Sequence, residues 1–232
     1  MKLTISYSIF FNSGRKTKNH YRDGLIRNAK KYKTIFPNAT MVVYHDDTVD
    51  NELLIILKEH DVILKKRPNN KNWSGTFWRF EELDNMVNKD DMVLITDADT
   101  DIEVENQLFK KFYDNLGDRS AFIHHGGHTS ITKILNEQRW IIACAALFRG
   151  PLKNKISNEI YPYIEKDGVF GNDERFLRDF VWPQIKENCL INIEKRSLQP
   201  LKSIIHNHPT IVPEWMLVDN YLERIYTEWN TK

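Results

Sequence analysis

The sequence predicts a single α/β domain in which helices flank a mostly parallel central sheet. Short apolar runs typical of strands alternate with amphipathic segments typical of helices through the first half of the chain. This alternation predicts parallel strands joined by right-handed crossovers. The 232 residues are enough to bury a sizeable core, and no repeat, low-complexity tract or obvious linker divides them. We therefore expect one domain over residues 1–232.

The first half should begin with a strand and end with one. The predicted strands read, in chain order, LTISYSIFF, TMVVYHDD, DVILKK and MVLIT. The first predicted helix, HYRDGLIRNAKKYKTIF, ends at Pro37 and has apolar residues at spacings of three and four: Tyr21, Leu25, Ala29, Tyr32 and Phe36. A short helix, NELLIILKEH, follows. The next helix should bury one apolar face, formed by Phe77, Phe80, Leu83 and Val87.

The second half is less regular. The runs SAFIHH, RWIIACAALF and CLINI are typical of strands, and DERFLRDFVW is typical of a helix that Asn172 could cap. That helix should bury the apolar residues Phe176, Leu177, Phe180 and Val181. The C-terminal run PEWMLVDNYLERIYTEWN places large apolar residues on one stripe, for which packing against the core is the usual explanation.

Composition excludes several classes of protein. Lysine and arginine number 33 against 32 acidic residues, and a net charge of +1 gives no support to a nucleic-acid-binding protein. The first residues favour a strand over a signal peptide, and no segment approaches the ~20 apolar residues of a membrane-spanning helix. Cys144 lies in an apolar run, which is typical of a buried thiol. We expect a cytoplasmic protein without a transmembrane segment.

Three aspartates at alternate positions follow the apolar strand MVLIT: Asp97, Asp99 and Asp101. Carboxylates held this close repel one another unless a cation joins them, so the pattern indicates a metal. An EF-hand calcium loop would need glycine and glutamate where the chain has Ile102 and Leu108. A phosphohydrolase of the haloacid dehalogenase type remains an alternative, although its aspartates usually lie near the start of the fold.

Longer motifs surround these aspartates. The segments TFWRFEELDNMVNKDDMVLITDADTDI, WIIACAALFRG and GNDERFLRDFVWPQIKEN resemble stretches of GT-A-fold nucleotide-sugar glycosyltransferases. They are similar to small chlorella-virus and bacterial enzymes and, more distantly, to glycogenin-like ones. The resemblance implies transfer of a sugar from a nucleoside-diphosphate donor to a glycan acceptor. We expect the donor sugar to be linked to UDP. The nucleotide-binding half would span about residues 1–102, and the acceptor side would span about residues 103–232.

The resemblance also implies roles at the aspartates. A Mn²⁺ or Mg²⁺ ion would bind the diphosphate and suit carboxylate ligands. Asp99 would ligate the ion directly, and Asp97 would bind the ribose or reach the metal through water. Arg79 would contact the diphosphate or the sugar, the alternative being an ion pair with Glu82 three residues later. Asp101 is expected to cap the next turn.

Further candidates line the expected nucleotide slot. The end of the first strand should contribute Phe11, Asn12 and Ser13, with Arg15 near the phosphates, and the second strand ends near Asp46. A C-terminal histidine often completes the metal site of these enzymes. The run HNHP offers His206 and His208, and we expect His208.

On the acceptor side, Asp173 and Glu174 are the carboxylates best placed to act as a catalytic base. The alternative for Asp173 is a favourable charge at a helix N-terminus. Retention and inversion of sugar configuration both stay open. A sugar-nucleotide-binding protein without catalytic activity is a further alternative to the enzyme.

Overall fold

The computed structural model describes residues 2–11, 18–68, 74–104, 106, 119–125, 141, 143, 145–166 and 171–193. Within them the strands are β1 (Leu3–Ile9), β2 (Ala39–His45), β3 (Ile63–Lys66), β4 (Met92–Thr96), β5 (Ala121–His125), β6 (Ala145–Arg149) and β7 (Cys189–Ile193). They form one sheet in the spatial order β3-β2-β1-β4-β6-β5-β7.

Four adjacent strands of this sheet are parallel. β1 lies between β2 and β4, so that Ser6 pairs with Val42 on one side and Ile95 on the other. β3 continues the parallel set beyond β2, whereas β6 runs antiparallel to both β4 and β5, and β7 is parallel to β5. The predicted α/β fold with a mostly parallel sheet is confirmed. The carboxyl ends of β1–β4 consequently share one edge, where open α/β sheets bind ligands.

The helices are α1 (Lys18–Ile35), α2 (Asn51–Glu59), a 3₁₀ helix η1 (Ser74–Asn85) and α3 (Ser157–Lys166). A last helical segment contains α4 (Asn172–Phe176), a π-helical turn (Leu177–Val181), α5 (Trp182–Ile185) and a 3₁₀ turn (Lys186–Asn188). No helix in the described part of the chain is long and apolar enough to cross a membrane.

The core lies on both faces of the sheet. Alternate residues of β4 belong to different clusters: Val93 and Ile95 pack with η1 and α4, and Met92 and Leu94 pack with α1 and α2. This is the period-two pattern of a strand that is buried on both sides. The predicted apolar face of α1 is confirmed at its buried residues, Leu25, Ala29 and Tyr32. The polar loop after β4 therefore emerges from the middle of an apolar sheet.

Several predicted boundaries are wrong. The helix expected to include Val87 ends at Asn85 as a 3₁₀ helix, and Val87 is 78% exposed. The strand expected over RWIIACAALF begins only at Ala145, because the chain is in a turn at Ala143. Asn172 is not a cap but the first residue of α4, which follows Gly171 in the left-handed conformation (φ 82°) that glycine favours. The predicted C-terminal stripe and Cys144 lie outside the described residues.

Candidate functional site

The loop 97–101, called the aspartate loop below, leaves the sheet at the carboxyl end of β4. The side chain of Asp97 is 39% exposed and that of Asp99 is 29% exposed, so both carboxylates can meet a ligand. Asp101 instead accepts a hydrogen bond from the backbone N–H of Glu103 at 2.9 Å. The prediction that Asp101 caps the next turn is confirmed.

Arg79 approaches the aspartate loop from η1. It is only 5% exposed, and its Nη1 lies 2.5 Å from Oδ1 of Asp97 and donates to the carbonyl of Thr96 at 2.9 Å. Its backbone is tied to β1, because its N–H donates to Oγ of Ser8 at 3.0 Å and its carbonyl accepts from Oγ of Ser6 at 2.8 Å. Contacts of the Arg79 backbone with β1, and of its side chain with Thr96 and Asp97, thus hold the guanidinium in place.

The alternative pairing of Arg79 with Glu82 is wrong, since the Glu82 carboxylate contacts residues of β2 and β3 instead. There Glu82 forms an ion pair with Lys65 and accepts hydrogen bonds from the Tyr44 hydroxyl at 2.7 Å and from Nδ2 of Asn85 at 3.0 Å. Burial alone would raise the pKa of Glu82, but the hydrogen bonds from Lys65, Asn85 and Tyr44 hold it below its ordinary value. This network fixes η1 to β2 and β3, and so fixes the position of Arg79.

Asp173 reaches the same guanidinium from a distant part of the chain. It lies in the first turn of α4 with its side chain 13% exposed, and its Oδ2 is 3.5 Å from Nη2 of Arg79. Burial raises the pKa of Asp173; Arg79 opposes this rise and Asp97 adds to it. Arg79 therefore lies between two carboxylates, and we call Arg79, Asp97 and Asp173 the charged cluster. Glu174 is half-buried in the same turn, and its N–H donates to Oδ1 of Asp173 at 3.0 Å.

The ends of β1 and β2 meet through Asp46. This residue is buried, and its Oδ1 accepts hydrogen bonds from both the N–H, at 2.9 Å, and the hydroxyl of Thr48. The Thr48 hydroxyl oxygen in turn accepts from the N–H of Phe11 at 2.8 Å. Asp46 thus shapes the loop beside the expected nucleotide slot, with Phe11 half-buried at its edge. Four predicted site residues lie outside the described residues: Asn12, Ser13, Arg15 and His208.

The aspartate loop offers the oxygen ligands that Mn²⁺ and Mg²⁺ prefer. Across the residues that the structure describes, no group of three or more His, Cys, Asp or Glu side chains could hold a metal ion. Magnesium in nucleotide sites is commonly held by one or two carboxylates together with substrate phosphates. Asp97 and Asp99 at the end of β4 fit a metal shared with a diphosphate in this way.

Two sets of contacting residues were missed in the sequence. Ser6 and Ser8 were visible as hydroxyl residues at alternate positions of an apolar strand, which predicts that they share one face. On α1, Nε2 of His20 lies 3.3 Å from Oδ2 of Asp99, and Nη2 of Arg27 donates to the carbonyl of Asp99 at 3.0 Å. Nothing in the amphipathic pattern of α1 indicates which loop its polar side would contact.

Comparisons with known proteins define no family. No family model matches the chain, and no curated protein matches it. Solved structures that match include 4-diphosphocytidyl-2C-methyl-D-erythritol synthase from Anaerococcus prevotii, with 13% identity, 84% of this chain and 90% of that chain covered, and a TM-score of 0.48.

Two further solved structures that match are longer than this chain. Residues 1–349 of S. aureus TarS share 16% identity, with 84% of this chain and 58% of that chain covered, and a TM-score of 0.49. The galactosyltransferase LgtC, solved with donor and acceptor sugar analogues, shares 13% identity, with coverages of 83% and 73% and a TM-score of 0.47. Likenesses this distant identify neither a family nor an activity for this chain.

Proposed function

We propose that this protein is a metal-dependent glycosyltransferase of the GT-A type, which moves a sugar from a nucleoside-diphosphate donor to a glycan acceptor. The observation that carries the proposal is the charged cluster. Residues 79, 97 and 173 are far apart in sequence, yet their side chains converge. They do so at the carboxyl edge of a parallel sheet, beside the exposed carboxylate of Asp99.

The donor side of the site would be formed by the aspartate loop and Arg79. Asp99 would ligate Mn²⁺ or Mg²⁺, and Asp97 would bind the ribose or reach the ion through water. When bound, the ion would neutralise the charge that develops on the diphosphate leaving group. Arg79 lies 2.5 Å from Oδ1 of Asp97 and would contact the diphosphate or the sugar. A UDP-linked sugar is the donor that the resemblance favours.

The acceptor side would be formed by Asp173 and Glu174. A general base works best when its pKa is near the working pH, and burial raises the pKa of Asp173. Asp173 would therefore take the proton of the acceptor hydroxyl, with Arg79 fixing the orientation of its carboxylate. Glu174, on the same turn, is the second candidate for this role.

A thermal-shift screen of nucleotide sugars with and without Mn²⁺ tests the proposal. A UDP-sugar should raise the melting temperature only when Mn²⁺ is present. Asp99→Asn should abolish this shift, whereas Asp101→Asn should retain it, because the Asp101 carboxylate is engaged by Glu103 and Arg27. Equal shifts in wild type and Asp99→Asn would contradict the assignment of the metal.

Product analysis separates the enzyme from the alternatives that the sequence left open. Mn²⁺-dependent breakdown of the donor, with release of UDP, is expected of a glycosyltransferase. A sugar-nucleotide-binding protein would leave the donor intact. Release of inorganic phosphate from simple phosphate esters would instead indicate the phosphohydrolase.

A further inference from the structure

One face of α1 contacts successive residues of the aspartate loop. We propose that this face, formed by His20, Gly24, Arg27, Asn28 and Lys31 and called the α1 stripe below, positions Asp99 for the divalent ion. The inference rests on the proposed function, because it takes Asp99 to be a metal ligand. It goes beyond that function by assigning part of the metal affinity to residues that would not touch the metal.

The spacing of the stripe is helical, so its residues share one side of α1. At its N-terminal end, Nε2 of His20 lies 3.3 Å from Oδ2 of Asp99. At its other end, Nζ of Lys31 lies 2.6 Å from Oε2 of Glu103, just beyond the loop. The stripe therefore follows the loop along its length instead of meeting it at one point.

Asn28 is the buried centre of this contact. Its Nδ2 donates to the carbonyl of Thr100 at 2.7 Å, and its Oδ1 accepts from the N–H of Ile102 at 3.2 Å. The same Nδ2 lies 3.3 Å from the hydroxyl of Tyr7 on β1. One side chain thus binds the backbone of the loop at Thr100 and of the next residue beyond it at Ile102, and links both to the sheet.

Gly24 lets the helix and the loop touch. A Cβ atom at this position would lie 2.4 Å from the carbonyl oxygen of Ala98 and 2.8 Å from Cα of Asp99. These are backbone atoms, so a methyl group would displace the loop. Glycine inside a helix costs about 0.5–1 kcal/mol relative to alanine. The close approach to the loop is a physical reason for glycine here.

Arg27 acts on Asp99 itself. Its Nη2 donates to the backbone carbonyl of Asp99 at 3.0 Å, and its Nε lies 3.3 Å from Oδ2 of Asp101. Fixing the Asp99 carbonyl restricts the direction in which the Asp99 side chain leaves the loop. Residues that orient metal ligands without touching the metal commonly change affinity 10–100-fold when mutated.

The test measures Mn²⁺ affinity in the presence of UDP, by electron paramagnetic resonance of free Mn²⁺, at a temperature where each variant is folded. Arg27→Met keeps the apolar stem of a half-exposed side chain and removes its hydrogen bond to the Asp99 carbonyl and its ion pair with Asp101. Asn28→Ala removes both backbone contacts of the buried amide. Both variants should weaken Mn²⁺ binding roughly 10-fold or more. If Asn28→Ala does not fold, Arg27→Met decides alone.

The matched control lies on the same helix but away from the loop. Tyr32→Phe removes the hydrogen bond that the Tyr32 hydroxyl donates to the carbonyl of Asp61 at 3.2 Å, and it should leave Mn²⁺ affinity unchanged. Wild-type affinity in Arg27→Met and Asn28→Ala, with binding lost in Asp99→Asn, would overturn the role of the α1 stripe and leave the proposed function intact. Failure of the wild-type protein to bind Mn²⁺ with UDP would overturn both.

Discussion

Replacing Asp173 by asparagine separates stability from turnover. The change keeps the size of the side chain and removes its charge beside Asp97. Burial raises the pKa of Asp173, Arg79 opposes the rise and Asp97 adds to it, so the charged carboxylate is less favourable in the folded protein than in the unfolded chain. Asparagine should therefore raise the free energy of unfolding at neutral pH. For a chain of this size, each kcal/mol gained would move the melting temperature by roughly 2–4 °C, which a melting curve resolves.

The stability difference should depend on pH in a defined direction. Below about pH 3.9, the ordinary pKa of aspartate, the carboxyl group is protonated in both the folded and unfolded states. The contribution of the Asp173 carboxyl group to the stability of the wild-type protein is then fully present. The melting temperatures of wild type and Asp173→Asn should differ least in this pH range. As the pH rises through the raised folded-state pKa, the wild-type protein loses that contribution and the melting temperatures should separate.

Asp173→Asn should lower turnover, although it should raise stability. If Asp173 takes the acceptor proton, Asp173→Asn should lower transfer roughly 10²–10⁴-fold, the usual range for losing a general base. Donor affinity should fall far less, since Asp173 lies 3.5 Å from Arg79 and is not one of the proposed metal ligands. Melting temperature, donor affinity and UDP release are measured on the same preparation, so turnover can be expressed per folded molecule.

A control and a contradicting outcome make this test decisive. Asp179→Asn changes an exposed carboxylate in the same helical segment, where it pairs with Arg178, and should alter stability by no more than about 0.5 kcal/mol. If Asp173→Asn instead melts lower and turns over normally, the residue is a helix-start charge, worth about 0.3–1 kcal/mol. The catalytic assignment of Asp173 would then be wrong.

Three further substitutions test the supports of the site, each by urea denaturation. Arg79→Met leaves two carboxylates without their buried cation and should lower the free energy of unfolding by about 3 kcal/mol; a loss below about 1 kcal/mol would contradict the charged cluster. Lys65→Met should cost about 1–3 kcal/mol because Glu82 stays buried without its cation, and an unchanged midpoint would show that the pair contributes nothing. Gly75→Ala should also cost about 1–3 kcal/mol, since its Cβ would lie 2.3 Å from the Phe10 ring; wild-type stability would show that the ring moves freely.

The sequence predicts the central strand and its loop well because their signals are local. MVLIT is a fully apolar run followed by charged residues, and β4 has the predicted bounds, Met92–Thr96. CLINI likewise matches β7. The helix at residue 79 was predicted from its apolar spacing, but its 3₁₀ geometry, its end at Asn85 and its contacts with β1, β2 and β3 were not. Such long-range contacts leave no periodic signal.

The residues of the charged cluster could be predicted from the sequence, but their convergence could not. Arg79, Asp97 and Asp173 were each singled out, but their convergence depends on how η1 and α4 pack against β4. The alternative ion pair between Arg79 and Glu82 was wrong for the same reason. A spacing of three residues does not show which side chains of the neighbouring strands will contact Glu82. Gly24 is the opposite case: a glycine inside a helix was visible, whereas the backbone that it touches was not.

Mn²⁺-dependent release of UDP from a UDP-sugar tests the central claim most directly, with wild type, Asp99→Asn and Asp101→Asn compared at matched folded concentrations. The account predicts UDP release by wild type only with Mn²⁺ or Mg²⁺, little change in Asp101→Asn and a loss of activity in Asp99→Asn. Metal-independent release, or full activity in Asp99→Asn, would contradict it.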